Sequence, residues 1–298
     1  MYMAWRNVVV TRHCKISTKM RLLVIQTDDD VCQLPMDDIG MLMIETTRAV
    51  ITTCAIADLL KRDVKIVFCD DKHLPIGETS PYETESSRRA YIIQQIRWDE
   101  ARKDLLWQHI IREKIAHQVS VLEKNCDSLD LEKMKSLVVD VKPGDSDNRE
   151  AVAAHMYFPR LFTYEFVRSD EENGINGILD YGYAIILSEV ARKITEIGYL
   201  TEFGIHHDNE KNPFNLACDL MEPFRPFMDE RVFQLGAEHL DSKVKVELMR
   251  FMRSDVPELG TTITQLISVF VRDALRYLSG EECLPELGFV RCGTELCE

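Results

Sequence analysis

Short apolar runs separated by polar turns fill the first 80 residues of the chain. Runs of this kind, rich in β-branched and aromatic residues, are typical of strands. A stretch at 51–62, ITTCAIADLLKR, instead repeats its apolar positions with the period of a helix, which predicts a β-α-β step. We therefore expect a small β-rich domain with one helix, its strands at 5–11, 20–26, 31–34, 41–45 and 64–69.

From residue 88 the apolar spacing is helical almost to the end. The loop 142–148 ends in good N-cap residues, so a helix should begin near Asn148 or Arg149. The polar stretch 70–87 contains Pro75, Gly77 and Pro81 and reads as a connection. The prediction is an α+β protein with a β-rich domain at 1–80 and a larger all-α catalytic domain at 81–298. Within the second domain, residues 81–87 are predicted to form a linker. Residues 281–298 lack an amphipathic period and are predicted to form a loose tail. Further helices are expected at 88–125, 129–139, 175–198, 223–233, 242–253 and 262–279.

The amino-acid composition restricts the possible functions less than the pattern of apolar and polar positions does. The 298 residues carry a net charge of −14, which by itself argues against a nucleic-acid partner. The charge is uneven, however: residues 1–110 are nearly neutral, and basic residues cluster within them. Local basic patches can still bind phosphates, and we place DNA contacts at Arg88, Arg89 and Arg97, although a solvated helix face would have the same composition.

The cysteine spacing argues against a structural zinc site, and the short apolar runs argue against a membrane-spanning protein. Nine cysteines are scattered without a CxxC pair, which disfavours structural zinc and favours reduced thiols. No apolar run approaches the roughly 20 residues that cross a bilayer, so no membrane partner is expected. The sequence MYMAWRNVVVTRHCK lacks the layout of a signal peptide, which favours a cytoplasmic location.

The segment 204–229, GIHHDNEKNPFNLACDLMEPFRPFMD, concentrates chemistry-bearing side chains. Imidazole and carboxylate groups are ligands for divalent cations, so His206 or His207 with Glu222 and Asp219 suggest a metal site. In extended backbone only one of two adjacent histidines faces a given ion. An alternative is a capping box, with Asp219 as the N-cap of a helix and Glu222 three residues later.

Glu150 is a second acidic candidate, at the start of EAVAAHMYFPRLF. An acidic residue in the first turn is also favoured by the helix dipole alone. The neighbouring alanines have small side chains, so backbone or substrate could approach this helix face closely. Tyr157 is either a core residue or a hydrogen-bond donor to phosphate. HHDNE is not the HExxH arrangement of zinc proteases, and the chain has no P-loop, GxGxxG or GxSxG motif.

Several segments, in order and from end to end, resemble a known family. They are WRNVVVTRHCKIS, IETTRAVITTCAIADLLKRDVKIVFCDDKHLPIGE, QQIRWDEARKDLLWQHIIREKI, REAVAAHMYF, NGILDYGYAIILSEVARKITEIGY and the 204–229 segment quoted above. The chain resembles the integrase of CRISPR spacer acquisition, the first-numbered CRISPR-associated protein, in its type II form.

That resemblance implies a metal-binding triad of a Glu, a His and an acidic residue. Matched motif by motif, the triad falls on Glu150, His207 and Glu222. The doubled histidine leaves His206 as an alternative in register, and Asp219 matches a supporting acidic position. The implied cofactor is Mg²⁺ or Mn²⁺, which suits carboxylate and imidazole ligands.

The resemblance also implies the reaction and the assembly. The 3′-hydroxyl of a captured DNA fragment attacks a phosphodiester at a CRISPR repeat, a transesterification with endonuclease capability. A homodimer joined through the N-terminal domains would work with a small ferredoxin-like CRISPR-associated partner in a heterohexamer, and type II relatives add an RNA-guided effector nuclease and a ring-forming DNA-end-binding protein. Exposed Met36, Met41 and Met43 would suit such a dimer, although they fit a core equally well.

Two other functions remain open from the residues. The same triad could serve a general metal-dependent nuclease that uses water as the nucleophile on branched DNA. Alternatively, the acids could be helix caps in a non-catalytic protein that only holds DNA fragments.

Overall fold

The structure is a computed structural model that describes residues 6–70, 75–79, 88–126, 130–170, 172–256 and 259–290. It divides into two compact units, Met1–Glu85 and Ser86–Glu298. The first unit is built from two sheets and a helix, and the second is mostly helical, which confirms the predicted α+β class. The predicted linker at 81–87 lies outside the described residues.

The first unit carries two four-stranded sheets. One has the order β1-β5-β7-β8, with β8 antiparallel to an otherwise parallel set, and the other has the order β4-β3-β2-β6. Its elements are β1 (Arg6–Val10), β2 (Lys15–Lys19), β3 (Leu22–Gln26), β4 (Val31–Pro35), β5 (Ile39–Ile44), β6 (Val50–Ile51), α1 (Thr53–Leu60), β7 (Lys65–Cys69) and β8 (Pro75–Glu78).

Among the strands that the sequence pattern did not predict, β2 and β8 are strands because of their pairing partners and not because of their composition. β2 reads KISTK with a single large apolar residue, Ile16, yet it pairs with β3 on one side and β6 on the other. β8 lies in the stretch expected to be a connection, and pairs with β7. Met36, Met41 and Met43 are buried, so the idea that they form an exposed dimer surface is wrong.

The second unit is organised around two long helices, α3 and α6. Contacts of α3 reach α4, α5, α7, α8 and α10, while α6 packs against α7, α8, α9 and α10. Its elements are α2 (Arg88–Ile96), α3 (Glu100–Asn125), α4 (Glu132–Asp140), α5 (Arg149–Leu161), α6 (Gly174–Ile197), α7 (Asn215–Met221), α8 (Arg225–Leu235), α9 (Ser242–Phe251), β9 (Asp255–Val256), β10 (Thr261–Thr262) and α10 (Ile263–Leu278). None of the helices in the described part of the chain is long and apolar enough to span a membrane.

The predicted helical region 88–125 is two helices with a break at Arg97–Asp99. Asp99 has extended backbone, and its carboxylate accepts a hydrogen bond from the backbone N–H of Arg102 at 3.1 Å. It is thus the N-cap of α3, since a side chain in this position satisfies a donor that the first turn leaves free. The break separates the helix that carries Arg89 from the helix that forms one wall of the candidate site.

The C-terminal segment 281–290 has no helix or strand but is packed against α3. Leu287 is buried, and the backbone N–H groups of Phe289 and Val290 donate to the Glu113 carboxylate at 3.1 and 3.2 Å. The Phe289 ring stacks on His117 with centroids 3.9 Å apart. The expectation of a loose tail is therefore wrong for 281–290; residues 291–298 lie outside the described part.

Candidate active site

Lys114 stands at the centre of the site, on the inner face of α3. Its Nζ donates to Glu150 Oε1 and to Glu222 Oε2, each at 2.5 Å. These two glutamates, 72 positions apart in sequence, come from α5 and from the turn between α7 and α8. Burial alone would lower the pKa of Lys114, but Glu222 and Glu150 together raise it above its ordinary value. The ammonium is therefore a fixed positive charge shared by two carboxylates.

Glu150 owes its position to a double cap at the start of α5. The Asp145 carboxylate accepts the backbone N–H groups of Arg149 and Glu150 at 2.8 and 3.0 Å, and the Asn148 side chain accepts that of Ala151. These caps begin α5 at Arg149, as predicted. With its backbone tied to Asp145, Glu150 presents its one-third-exposed side chain to Lys114.

Glu222 is the buried member of the pair. It opens a 3₁₀ turn, Glu222–Phe224, that links α7 to α8 with Pro223 at an early position. Its second oxygen, Oε1, forms an ion pair with Arg225 Nη2 at 2.9 Å. Burial raises the pKa of Glu222, but Arg225 and Lys114 outweigh it and hold the pKa below its ordinary value. Glu222 is thus an anion between two cations.

Asp219 is not a helix N-cap, so the capping-box alternative is wrong. It lies inside α7, fully buried, and its carboxylate faces the preceding segment instead of the following helix. One oxygen, Oδ2, accepts the backbone N–H groups of Ile205 and His206 at 2.7 and 3.1 Å. The other, Oδ1, accepts from the His207 backbone at 3.1 Å and pairs with His207 Nδ1 at 2.5 Å.

His207 is thereby fixed in both backbone and ring. Because Nδ1 is committed to Asp219, the ring's second nitrogen, Nε2, remains for a ligand, and no hydrogen bond to it is found among the described residues. The hydrogen bond to Asp219 raises the pKa of His207 above its ordinary value of 6.5, and the charges of Glu222 and Glu150 contribute in the same direction. This electrostatic coupling places His207 in the field of the two glutamates.

Gly204 is required by this arrangement. A Cβ added there would lie 2.2 Å from the His207 carbonyl oxygen and 2.7 Å from Asp219 Oδ2. Both distances are shorter than atoms tolerate, and the first involves backbone that cannot swing away. The glycine in GIHH therefore exists to let the loop close on the carboxylate.

We expect Gly204→Ala to loosen the 204–207 loop and misplace His207. The variant should unfold about 2 kcal/mol more easily than wild type, because the added methyl forces the loop off Asp219. Chemical denaturation with intrinsic fluorescence measures the loss. Gly177→Ala is the matched control, since a Cβ at Gly177 meets nothing within 4 Å. Equal stability of the two variants would contradict the packing argument.

The other histidine, His206, has a different role. Its ring stacks on buried Trp107 of α3, with centroids 4.2 Å apart and planes 5° apart. Trp107 also meets the edge of the His207 ring at 5.8 Å. Both rings therefore contact Trp107, stacked in His206 and at a right angle in His207, but only the ring of His207 pairs with Asp219.

Tyr157 is buried more deeply than a hydrogen-bond donor to a DNA phosphate would be. It is completely buried in the core between α3, α4 and α5, which supports the core alternative. Burial and the charge of Asp229 raise its pKa well above the ordinary value. Asp229 itself is buried, accepts a hydrogen bond from the Tyr183 hydroxyl, and has a pKa raised to about 7, first by burial.

The predicted DNA contacts lie at the start of the helical unit. Arg89 and Arg97 are exposed, on α2 and just after it, while Arg88 begins α2. Exposure is compatible both with phosphate binding and with a solvated helix face, so these contacts remain predictions.

The structure therefore brings together two of the three predicted triad members. Glu150 and Glu222 converge on Lys114, while His207 is anchored by Asp219 within their electrostatic reach. Within the described ranges, no group of three or more His, Cys, Asp or Glu side chains is close enough to hold a metal ion. Sequence reasoning missed Lys114 and Arg225; the signal for Lys114 was a charge in the apolar stripe IIREKIAHQV.

Comparison with known proteins defines the family. A family model described as "CRISPR associated protein Cas1" matches residues 8–243. The chain is 35% identical over 246 residues to the CRISPR-associated endonuclease Cas1 of Neisseria meningitidis serogroup C (strain 8013), covering 83% of this chain and 80% of the relative. The chain belongs to the Cas1 family. The resemblance inferred from its motifs is thus confirmed.

Solved structures agree on the fold. A CAS1 protein from Thermotoga maritima matches with a TM-score of 0.78 at 16% identity, covering 94% of this chain and 99% of that one. A casposase bound to an integration product matches with a TM-score of 0.77 at 19% identity, covering 96% and 95%. A Cas6-RT-Cas1–Cas2 complex matches with a TM-score of 0.73 at 16% identity, covering 93% of this chain and 35% of that one. At these identities the likeness establishes the fold of a Cas1 protein.

Proposed function

We propose that the chain is a metal-dependent DNA integrase of CRISPR adaptation, with endonuclease capability. It would insert foreign DNA fragments at repeats by transesterification with a 3′-hydroxyl. The observation that carries the proposal is the convergence of Glu150 and Glu222 on one positive charge, within electrostatic range of a histidine fixed by a buried carboxylate. Family membership and the casposase's fold likeness support the reaction class.

The side-chain types present suit a divalent cation, although Lys114 now stands between the two glutamates and no three of these groups converge closely enough in the described residues. Lys114 Nζ marks a point where two carboxylate oxygens already share one cation, and His207 can offer Nε2 while Asp219 keeps Nδ1. Second-sphere carboxylates of this kind fix the tautomer of a ligating histidine. Two carboxylates with one imidazole suit Mg²⁺ or Mn²⁺ better than structural zinc.

Each side chain then has a defined task. Glu150 and Glu222 supply anionic oxygens, His207 supplies Nε2, and Asp219 orients the ring without itself touching the substrate. When bound, the cation supplies Lewis acidity toward a phosphate oxygen and the incoming hydroxyl. The substrate provides the nucleophile, so no Ser or Tyr of this chain needs to form a covalent intermediate, and buried Tyr157 has no such role.

An integration assay separates the proposed function from its alternatives. Purified protein, a small ferredoxin-like partner protein, a supercoiled plasmid with a CRISPR repeat and Mg²⁺ or Mn²⁺ should yield plasmid joined to the added fragment. Cleaved DNA with free 3′-hydroxyl ends and no joining would indicate the general nuclease. Metal-independent DNA binding without any chemistry would indicate a fragment holder.

The proposal includes an assembly. We place a homodimer through the N-terminal units, double-stranded fragment and repeat DNA as substrates, and the small ferredoxin-like partner in a heterohexamer. The matching Cas6-RT-Cas1–Cas2 complex supports a Cas2-type partner. The type II form, with its RNA-guided effector nuclease and ring-forming DNA-end-binding protein, belongs to the same proposal, as do phosphate contacts from Arg88, Arg89 and Arg97.

The raised pKa of His207 predicts a pH dependence with a definite sign. Protonated imidazole cannot ligate, so affinity for Mn²⁺ should rise with pH through a value above 6.5. In the metal-free chain the charged His207–Asp219 pair has the opposite effect: its stabilisation is complete below about 6.5 and is lost as pH rises through the folded-state pKa.

Calorimetric Mn²⁺ titrations between pH 6 and 8.5 measure this dependence. This range extends about two pH units above the ordinary histidine pKa. His206→Gln serves as control and should keep the wild-type profile, because the His206 ring stacks on Trp107 and only its backbone N–H, which Gln retains, bonds to Asp219. An affinity that is flat across this range would argue against His207 as the ligand.

A further inference from the structure

Lys114 occupies the space between the two glutamates more completely than an ordinary ion pair requires. Its side chain is 7% exposed, and its partners Glu150 and Glu222 are 33% and 5% exposed. Both contacts are 2.5 Å and run from one nitrogen to two carboxylates, one on α5 and one in the turn between α7 and α8. An ammonium in this position does what a metal ion does: it lets two anions approach each other.

The surrounding charges show why the position matters. Glu222 also contacts Arg225, and Glu150, Arg225 and Asp229 all lie within electrostatic range of Lys114 or its partners. Without Lys114, two carboxylates would face one another across a mostly buried space, and of the two only Glu222 has an ion pair with Arg225. Burying like charges together is costly, so the metal-free site needs a cation between them.

A divalent ion and the ammonium cannot share that space. Both would bond to the same carboxylate oxygens, and two cations at contact distance in a buried site repel strongly. Lys114 must therefore leave the carboxylates when the ion enters. Its long side chain, with four rotatable bonds, allows the ammonium to move while the helix stays in place.

We propose that Lys114 is a placeholder cation: it holds Glu150 and Glu222 together in the metal-free protein and competes with the divalent ion for them. The inference rests on the proposed function, because it assumes that these glutamates bind the ion. It assigns Lys114 as a positioning residue that sets metal affinity. A merely structural lysine would stabilise the fold equally with and without metal.

The test compares neutral and charged replacements. Mn²⁺ affinity is measured by calorimetry on the purified full chain for wild type, Lys114→Gln, Lys114→Met and Lys114→Arg. The neutral variants should bind Mn²⁺ about tenfold or more tightly than wild type, because the competing charge is gone. Lys114→Arg, which keeps the charge, should bind no more tightly than wild type.

Thermal unfolding adds a second readout. In EDTA the neutral variants should melt below wild type, and saturating Mn²⁺ should raise their melting temperature by more than it raises that of wild type. Lys135→Gln is the matched control: Lys135 also contacts two glutamates, Glu123 and Glu132, but on the surface, and its loss should change neither quantity.

The outcomes separate the two proposals. Neutral variants that bind Mn²⁺ with equal or weaker affinity than wild type would overturn the placeholder role. Absence of Mn²⁺ binding by wild type itself, at the same concentrations, would overturn the proposed function. If the neutral variants do not fold without metal, side-chain ¹⁵N NMR of wild type decides: the Lys114 ammonium signal must change on Mg²⁺ addition, and an unchanged signal overturns the idea.

Discussion

Replacing Glu150 by Gln is expected to abolish strand transfer and leave the fold almost unchanged. Gln keeps the size and one acceptor oxygen but removes the anionic charge that a divalent ion needs. Glu150 is one-third exposed and Lys114 retains Glu222, so little stability should be lost. We expect integration to fall by about a thousandfold or more, in line with losing a metal that stabilises the transition state by several kcal/mol.

The measurement is the plasmid integration assay, with the unfolding midpoint recorded in parallel. Glu132→Gln is the matched control, since Glu132 also lies in the first turn of a helix but is 84% exposed and its side chain forms an ion pair with surface Lys135. Integration by Glu150→Gln at the level of this control would remove Glu150 from the catalytic set. Glu222 is a poorer first choice for mutation, because its loss leaves both Lys114 and Arg225 without their buried partner.

The second large effect is expected at Asp219, and it falls on stability as well as activity. Asp219 accepts three backbone N–H groups and the His207 ring, all through a completely buried carboxylate. In Asp219→Asn, one of the two oxygens becomes an amide that must face N–H donors. We expect a loss of about 3–5 kcal/mol in the free energy of unfolding, typical of breaking a buried charged network.

Denaturant unfolding and Mn²⁺ titration together check this prediction. Affinity for Mn²⁺ should also fall, by about 10–100-fold, because His207 loses the partner that orients it. Asp208→Asn is the control, an exposed aspartate next to His207. If Asp219→Asn were as stable as that control, the hydrogen bonds to the 205–207 segment would contribute far less to the free energy of unfolding than the geometry implies.

Local signals in the sequence predicted the fold well. The N-cap residues before Arg149 predicted the start of α5, and helical periodicity located most of the second unit. Long-range pairing was less accessible: β2 and β8 are strands because neighbouring strands bind them, and segment 281–290 is packed because Glu113 accepts its backbone N–H groups. Composition does not encode such partners.

For the candidate site, too, the sequence predicted the local features but not the long-range contacts. Motif resemblance selected Glu150, His207 and Glu222, but the sequence around Asp219 equally fits a helix cap. Only the fold shows that its carboxylate turns back to the Gly204–His207 loop, where the glycine makes room for it. Lys114 could not be found from motifs, because its significance lies in two glutamates 36 and 108 residues away.

We propose that Glu150, His207 and Glu222 bind one catalytic divalent ion. Anomalous diffraction from crystals of the protein soaked in Mn²⁺ would locate that ion. We expect a single strong peak within bonding distance of both glutamates and of His207 Nε2, with Lys114 moved off the carboxylates. A peak elsewhere, or none at this site while Lys114 still bridges the two glutamates at saturating Mn²⁺, would contradict it.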